Sequence, residues 1–188
     1  MPYSTLFDSA GLCDAHLKLI GKAIFWASLL EGRIVDYLIY HHAIEPSARD
    51  KWMKRKISDK LDMLDTAVST LSVENAFKDS HSSALNRVRE TFNIRNDLVH
   101  GVFGPAAEIA EGVVVPYVYR PSTAEFELGR TVIFGEHELF SLCEALGENY
   151  EALETHHLAL RVIKNEVSRN WGGERVAALV RLAEEHPT

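Results

Sequence analysis

The chain is poor in cysteine, with two in 188 residues, and that scarcity excludes a disulfide scaffold. Cys13 and Cys143 lie far apart and without metal-type spacing, so they read as small buried thiols. Long apolar runs are also missing. No stretch approaches the roughly 18 uninterrupted apolar residues of a membrane-crossing helix. Met1-Pro2-Tyr3-Ser4-Thr5 lacks the basic-then-apolar pattern of a secretory leader. A cytoplasmic protein with no membrane partner is expected. Positive charge is in deficit, with 20 basic against 27 acidic residues and a formal net charge of −7. That balance argues against a broad electrostatic grip on nucleic acid and leaves room only for local phosphate contacts. There is no glycine-rich phosphate loop, no G-x-S-x-G elbow and no dinucleotide fingerprint, so nucleotide-dependent chemistry has no support. His41-His42 and His156-His157 invite a metal, but adjacent helical side chains point apart and no carboxylate completes a ligand pattern. No metal and no cofactor is expected.

What the chain does have is an ordinary globular composition, 46% hydrophobic and 25% charged, enough for one substantial core. With no repeat, low-complexity stretch or clear linker, residues 1–188 read as a single domain. Asp8 or Ser9 caps a first helix running to about His42, with Leu12, Leu19, Ile20, Ala23, Leu30, Ile34 and Leu38 inward and Phe25, Trp26 and Tyr37 adding bulk. Gly21 and Gly32 suggest close approach by another helix. Pro46 breaks the chain, and Trp52, Ile57, Leu61, Leu64, Val68 and Leu71 then repeat at helical spacing over about 47–71. Lys51, Lys54, Arg55, Lys56 and Lys60 within it read as a solvated basic face. Ser82 or Ser83 caps a third helix that ends near His100.

Beyond Gly101 the texture becomes β-branched and aromatic: Val113-Val114-Val115, Tyr117-Val118-Tyr119, then Phe126, Leu128, Val132, Ile133 and Phe134. A β-hairpin over about 112–134 is expected, with Pro116 at an edge or bulge. Its aromatics Tyr117, Tyr119 and Phe126 suit packing better than base stacking. Helical period returns from about Glu136 to Val167, and Asn170-Trp171-Gly172-Gly173 precedes a last amphipathic helix over about 174–185. The fold class is therefore mainly α, an up-down bundle of about four to five helices with an inserted β-hairpin.

One stretch conflicts with that pattern. Leu85, Val88, Phe92 and Val99 mark an apolar stripe, yet Arg95 and Asn96 straddle it at about 40° and 60° to either side of its centre. His100 follows Asn96 by four residues, on the same helix face, and Gly101 ends the helix. A guanidinium near the core must be paired or work on an anion. Arg87 and Arg89 lie upstream; Arg87 falls near one line with Arg95 and is positioned to track a phosphate backbone.

Arg95-Asn96 followed by three residues and His100 resembles the Arg-(four to six residues)-His motif of the HEPN superfamily, all-helical domains that include metal-independent endoribonucleases. The place of the motif, ending a helix after two long upstream helices, is similar to its place in that family. The resemblance implies RNA as substrate, no cofactor, and a homodimer whose two motif copies form a composite site. It also admits a toxin or defence role and an antitoxin protein as partner. The chemistry fits these residue types: an imidazole exchanges protons near neutrality, which suits His100 as general acid or base. Arg95 offers a permanently charged fork to phosphate oxygens, and Asn96 orients its neighbours. Where HEPN toxins paired with a nucleotidyltransferase antitoxin carry a modifiable Tyr two residues after the motif His, this chain has Val102. The same three polar residues also suit a noncatalytic interaction module whose network fixes dimer geometry.

Overall fold

The first long helix, α1 (Asp14–Tyr40), forms where apolar residues recur every three or four positions, and Ala23, Ala27, Leu30, Ile34 and Leu38 are fully buried. The computed structural model describes residues 12–100 and 134–163 in full and, between them, the backbone of five short strands. The expected caps Asp8 and Ser9 and the expected helix over about 174–185 lie outside the described residues. α1 stops two residues short of His42. There His42 takes a left-handed φ of 57°, its N–H reaches Ile39 O at 3.0 Å, and Ala43 N–H reaches Leu38 O at 2.9 Å. This pair of bonds closes the helix end and satisfies carbonyls that would otherwise be orphaned.

The single helix expected over 47–71 is broken. A 3₁₀ turn (Pro46–Ala48) leads into α2 (Arg49–Met53), and α3 (Ile57–Ser69) starts afresh. The break falls on the basic run Lys54-Arg55-Lys56, where Arg55 N–H bonds back to Trp52 O at 3.0 Å and its guanidinium lies 5.9 Å from the Trp52 ring centre. No residue of α2 is buried, so no apolar stripe holds the helix through the repulsion. Trp52 and Ile57 are therefore outside the core, whereas Leu61, Leu64 and Val68 are in it. α4 (Asn75–His100) begins before its expected caps, and Ser82 instead donates to Asp65 Oδ1 at 2.6 Å.

After α4 come β1 (Val102–Phe103), β2 (Ala107–Ala110), β3 (Val113–Val115), β4 (Tyr117–Arg120) and β5 (Arg130–Ile133). They form two antiparallel sheets, β1-β4-β5 and β2-β3, rather than the single hairpin expected over about 112–134. Val114 pairs back with Glu108, while Tyr117 pairs forward with Ile133. Pro116, expected at an edge or bulge, lies outside the described residues. α5 (Glu136–Ile163) completes the described elements; Leu139, Leu142, Cys143, Leu146, Leu153 and Leu160 are buried as their spacing predicts, whereas Tyr150 and Ile163, expected with them, are half-buried and exposed.

The chain divides into two compact units: Met1–Ser28 with Thr91–Leu146, and Leu29–Glu90 with Gly147–Thr188. In the second unit four helical segments link in a cycle. Glu31 of α1 pairs with Lys60 of α3, Asp62 of α3 with Arg89 of α4, Ser80 of α4 with His156 of α5, and Glu154 of α5 with Arg33 of α1. Residue numbers rise together along α1 and α5, from Arg33–Tyr150 through Tyr37–His157 to Tyr40–Arg161, so these two run parallel. α3 and α4 run antiparallel, from Asp62–Arg89 to Ser69–Lys78. In the first unit, Cys143 Sγ donates to Leu19 O at 3.4 Å, joining the early turns of α1 and α5. Among the described residues no helix is long and apolar enough to cross a membrane. The protein is mainly helical.

Candidate functional site

The apolar stripe of α4 continues through Ala84, Leu85, Val88 and Phe92, all buried, and then changes side. Val99, expected on the stripe, is 38% exposed, whereas Leu98 and Asp97 are buried. Asp97 lies about 180° around the helix from Val88. The last turn of α4 is therefore covered from a different direction than the turns before it. This swing leaves Arg95 and Asn96 half-buried and His100 exposed at the final residue.

Arg95 Nη1 donates to Asn96 Oδ1 at 3.1 Å, and its Nε is buried with no hydrogen-bond partner among the described residues. An orphaned donor on a permanent cation is costly unless something anionic meets it. Asn96 holds one edge of the guanidinium, while Nε has neither solvent access nor a hydrogen-bond partner among the described residues. His100 sits where a helix carboxyl end favours positive charge. The last turns of α4 thus carry a half-buried guanidinium and, about one turn onward, a solvent-facing histidine. Asp97 is the site neighbour that the sequence pattern missed, because helical periodicity alone points it to solvent.

Arg87 and Arg89 belong to the other unit from Arg95, Asn96 and His100. Arg89 is already engaged, with Nη2 on Asp62 Oδ1 and Nη1 on Asn86 Oδ1, both at 2.6 Å. A phosphate must displace Asp62 to claim it.

A second polar cluster lies in the unit that contains Arg87. His81 and His156 are buried beside Phe77, with their ring centres 5.6 Å apart. His157 stacks on Tyr37 at 4.0 Å and meets Tyr40 edge-on at 4.5 Å. Burial, reinforced by His156 and His41, lowers the His81 pKa to about 3. Burial also lowers that of His156, helped by the Arg87 charge and opposed by a 2.8 Å bond from Nδ1 to Ala152 O. Since a carbonyl only accepts, His156 Nδ1 carries the proton, and Ser80 donates to Nε2 at 3.1 Å. The Tyr37 phenol is held above its ordinary range by burial and by Glu154. His81, His156 and Tyr37 are thus neutral packing elements near neutral pH. The sequence showed the histidine pairs but not that α4 would place His81 against His156.

The cysteines differ from each other. Cys143 is buried and Cys13 is exposed, contrary to the reading of both as buried thiols. Cys13 lies at the amino end of α1 with its Sγ 3.0 Å from His16 Nδ1 and 3.7 Å from Glu136 Oε1. Comparison with protein-family models, curated proteins and solved structures finds no match for the chain.

Proposed function

We propose that the protein is a metal-independent endoribonuclease of the HEPN kind, a toxin or defence effector whose site is completed by a second copy of the chain. One observation carries this reading: a half-buried guanidinium, oriented by Asn96 at 3.1 Å, keeps a buried Nε without a partner among the described residues, one turn before an exposed histidine. In that site Arg95 stabilises the charge of the phosphorane. His100 exchanges a proton with the 2′-hydroxyl or the leaving 5′-oxygen, and Asn96 keeps the fork aimed. Removing the 2′-hydroxyl proton needs a base and protonating the 5′-oxygen needs an acid, so the imidazole of a symmetry mate is the second group. An isologous dimer provides it. Val102 removes the modifiable Tyr of one mode of antitoxin control.

The test is cleavage of total RNA in excess EDTA by wild type, Arg95→Ala, Asn96→Ala and His100→Ala, each checked for folding by circular dichroism and for mass in solution. His100→Ala and Arg95→Ala should lose about 100-fold or more in rate, and Asn96→Ala less. A wild-type dimer that cuts no RNA, with His100→Ala or Arg95→Ala dissociating it, would instead establish the noncatalytic interaction module.

A further inference from the structure

Three side chains with metal-ligating atoms converge at the amino ends of α1 and α5, and none of them is assigned to RNA cleavage. Cys13 Sγ, His16 Nδ1 and a Glu136 carboxylate oxygen all lie within 4.8 Å of one another. Cys13 and Glu136 are 123 residues apart, so the packing of the unit and not local spacing assembles the group. His16 is buried while Cys13 and Glu136 are exposed, which gives the cluster a fixed floor and an open side.

Part of the geometry has a local explanation. Cys13 O accepts the first helical bond, from Leu17 N–H at 3.1 Å, and Cys13 N–H donates to His16 Nδ1 at 3.2 Å. His16 thus stands where a capping box places Glu or Gln. That bond also fixes the tautomer: Nδ1 is the unprotonated nitrogen, and its lone pair faces the sulfur side. The cap accounts for His16, but neither for the thiol 3.0 Å from the same nitrogen nor for Glu136 at 3.7 Å from the thiol.

We propose that Cys13, His16 and Glu136 form a binding site for a divalent ion of the zinc class. Bonds of about 2.0–2.3 Å in a tetrahedral shell place neighbouring ligand atoms roughly 3.4–3.6 Å apart. The Cys13–His16 and Cys13–Glu136 separations of 3.0 and 3.7 Å bracket that spacing, and the His16 and Glu136 atoms lie within 4.8 Å of each other. One thiolate, one imidazole and one carboxylate make a mixed set that suits zinc and not the all-oxygen preference of calcium or magnesium. On binding, the Cys13 thiol proton is released to solvent, Sγ, Nδ1 and a Glu136 oxygen each donate an electron pair, and the Cys13 N–H bond to Nδ1 gives way to the metal bond. Water fills the fourth position on the open side. The ion ties the start of α1 to the start of α5.

The test uses the full, tag-free chain, reduced and stripped of metal. Cobalt(II) titration should give a thiolate-to-metal charge-transfer band saturating at one ion per chain. The band should vanish in Cys13→Ser and persist in Cys143→Ser. Zinc affinity measured by competition should fall by about 10- to 100-fold or more in Glu136→Gln, since even groups that only support a ligand are worth that much. Zinc should raise the unfolding temperature of wild type and not of Cys13→Ser. Cys13→Ser retains the backbone N–H that caps α1, so it decides the matter even if His16→Ala does not fold. Absence of the band, its survival in Cys13→Ser, or unchanged zinc affinity in Glu136→Gln overturns the site and leaves His16 as a cap alone. Because the RNA assay runs in EDTA, either proposal can fail without the other.

Discussion

A lysine with no exposed surface is the residue whose surroundings contradict its sequence context most. Lys60 stands in line with Lys51, Lys54, Arg55 and Lys56, and the run reads as a solvated face, yet Lys60 is 0% exposed. Its ammonium pairs with Glu31 and donates to Met53 O at 2.9 Å. The two partners are unequally buried, since the Glu31 side chain keeps 24% of its exposure. Removing the deeper charge leaves a carboxylate that water can reach, while removing the shallower one leaves a buried cation without its anion. Glu31→Ala should therefore cost about 3 kcal/mol or more, and Lys60→Met clearly less, compared by urea unfolding at neutral pH. Equal losses would mean that the pair is not desolvated. Arg95 and Asn96 were legible as residues of the candidate site because each conflicts with an apolar period. Asp97 and Lys60 were not, because a charged side chain is buried only by what other elements bring to it, and one helix's periodicity does not contain that information.

At the scale of elements, two features of α1 lead to opposite substitutions. His42 holds a φ of 57°, a conformation that costs a side-chain-bearing residue roughly 1 kcal/mol and glycine nothing. His42→Gly should raise stability by up to about 1 kcal/mol, less the lost unfolded-state restriction. Gly21 and Gly32 lie within the helix, and a Cβ added at either meets nothing within 4 Å. The expectation of close helix packing at these glycines is therefore not met within the described chain. Gly32→Ala should stabilise by about 0.5–1 kcal/mol from helix entropy, visible as a higher urea midpoint with an unchanged slope. A loss would show that another surface covers Gly32. The long helices were legible where a stripe of Leu, Ile and Val repeats without interruption, as in α1 and α5. They failed at Lys54-Arg55-Lys56, where repulsion acts on a segment with nothing buried, and at Ser82, whose hydroxyl serves Asp65 instead of a helix end. Strand-forming residues from Val113 onward were visible, but β1, β2 and the pairing of the strands were not, because composition does not encode which ladder a strand joins.

At the scale of the whole molecule, the histidine cluster sets how the fold meets acid. His81 has its pKa lowered to about 3 from an ordinary 6.5, by burial first and then by His156 and His41, and neither of its ring nitrogens has a hydrogen-bond partner among the described residues. The groups facing this ring are His41 from the end of α1 and His156 from α5, with Arg87 of α4 acting on His156. Among the described residues no carboxylate contributes to the shift of this ring. Above the unfolded pKa, both states leave His81 neutral and it contributes no pH dependence. Between about 6.5 and 3 the unfolded chain binds a proton that the native chain refuses, so stability falls as pH falls, by about 1.4 kcal/mol per unit for this one ring. His156 shifts in the same direction and adds to the slope. From pH 7 to pH 5, His81 alone should remove about 2 kcal/mol, a large fraction of a typical domain's stability. His81→Phe retains an aromatic ring against Phe77 and has nothing to protonate. Urea unfolding at the two pH values should therefore show wild type losing about 2 kcal/mol more than the variant, with the two closest near neutrality. Parallel pH dependences would mean that His81 is protonated as readily in the native chain as in the unfolded one, and that the cluster is open to water.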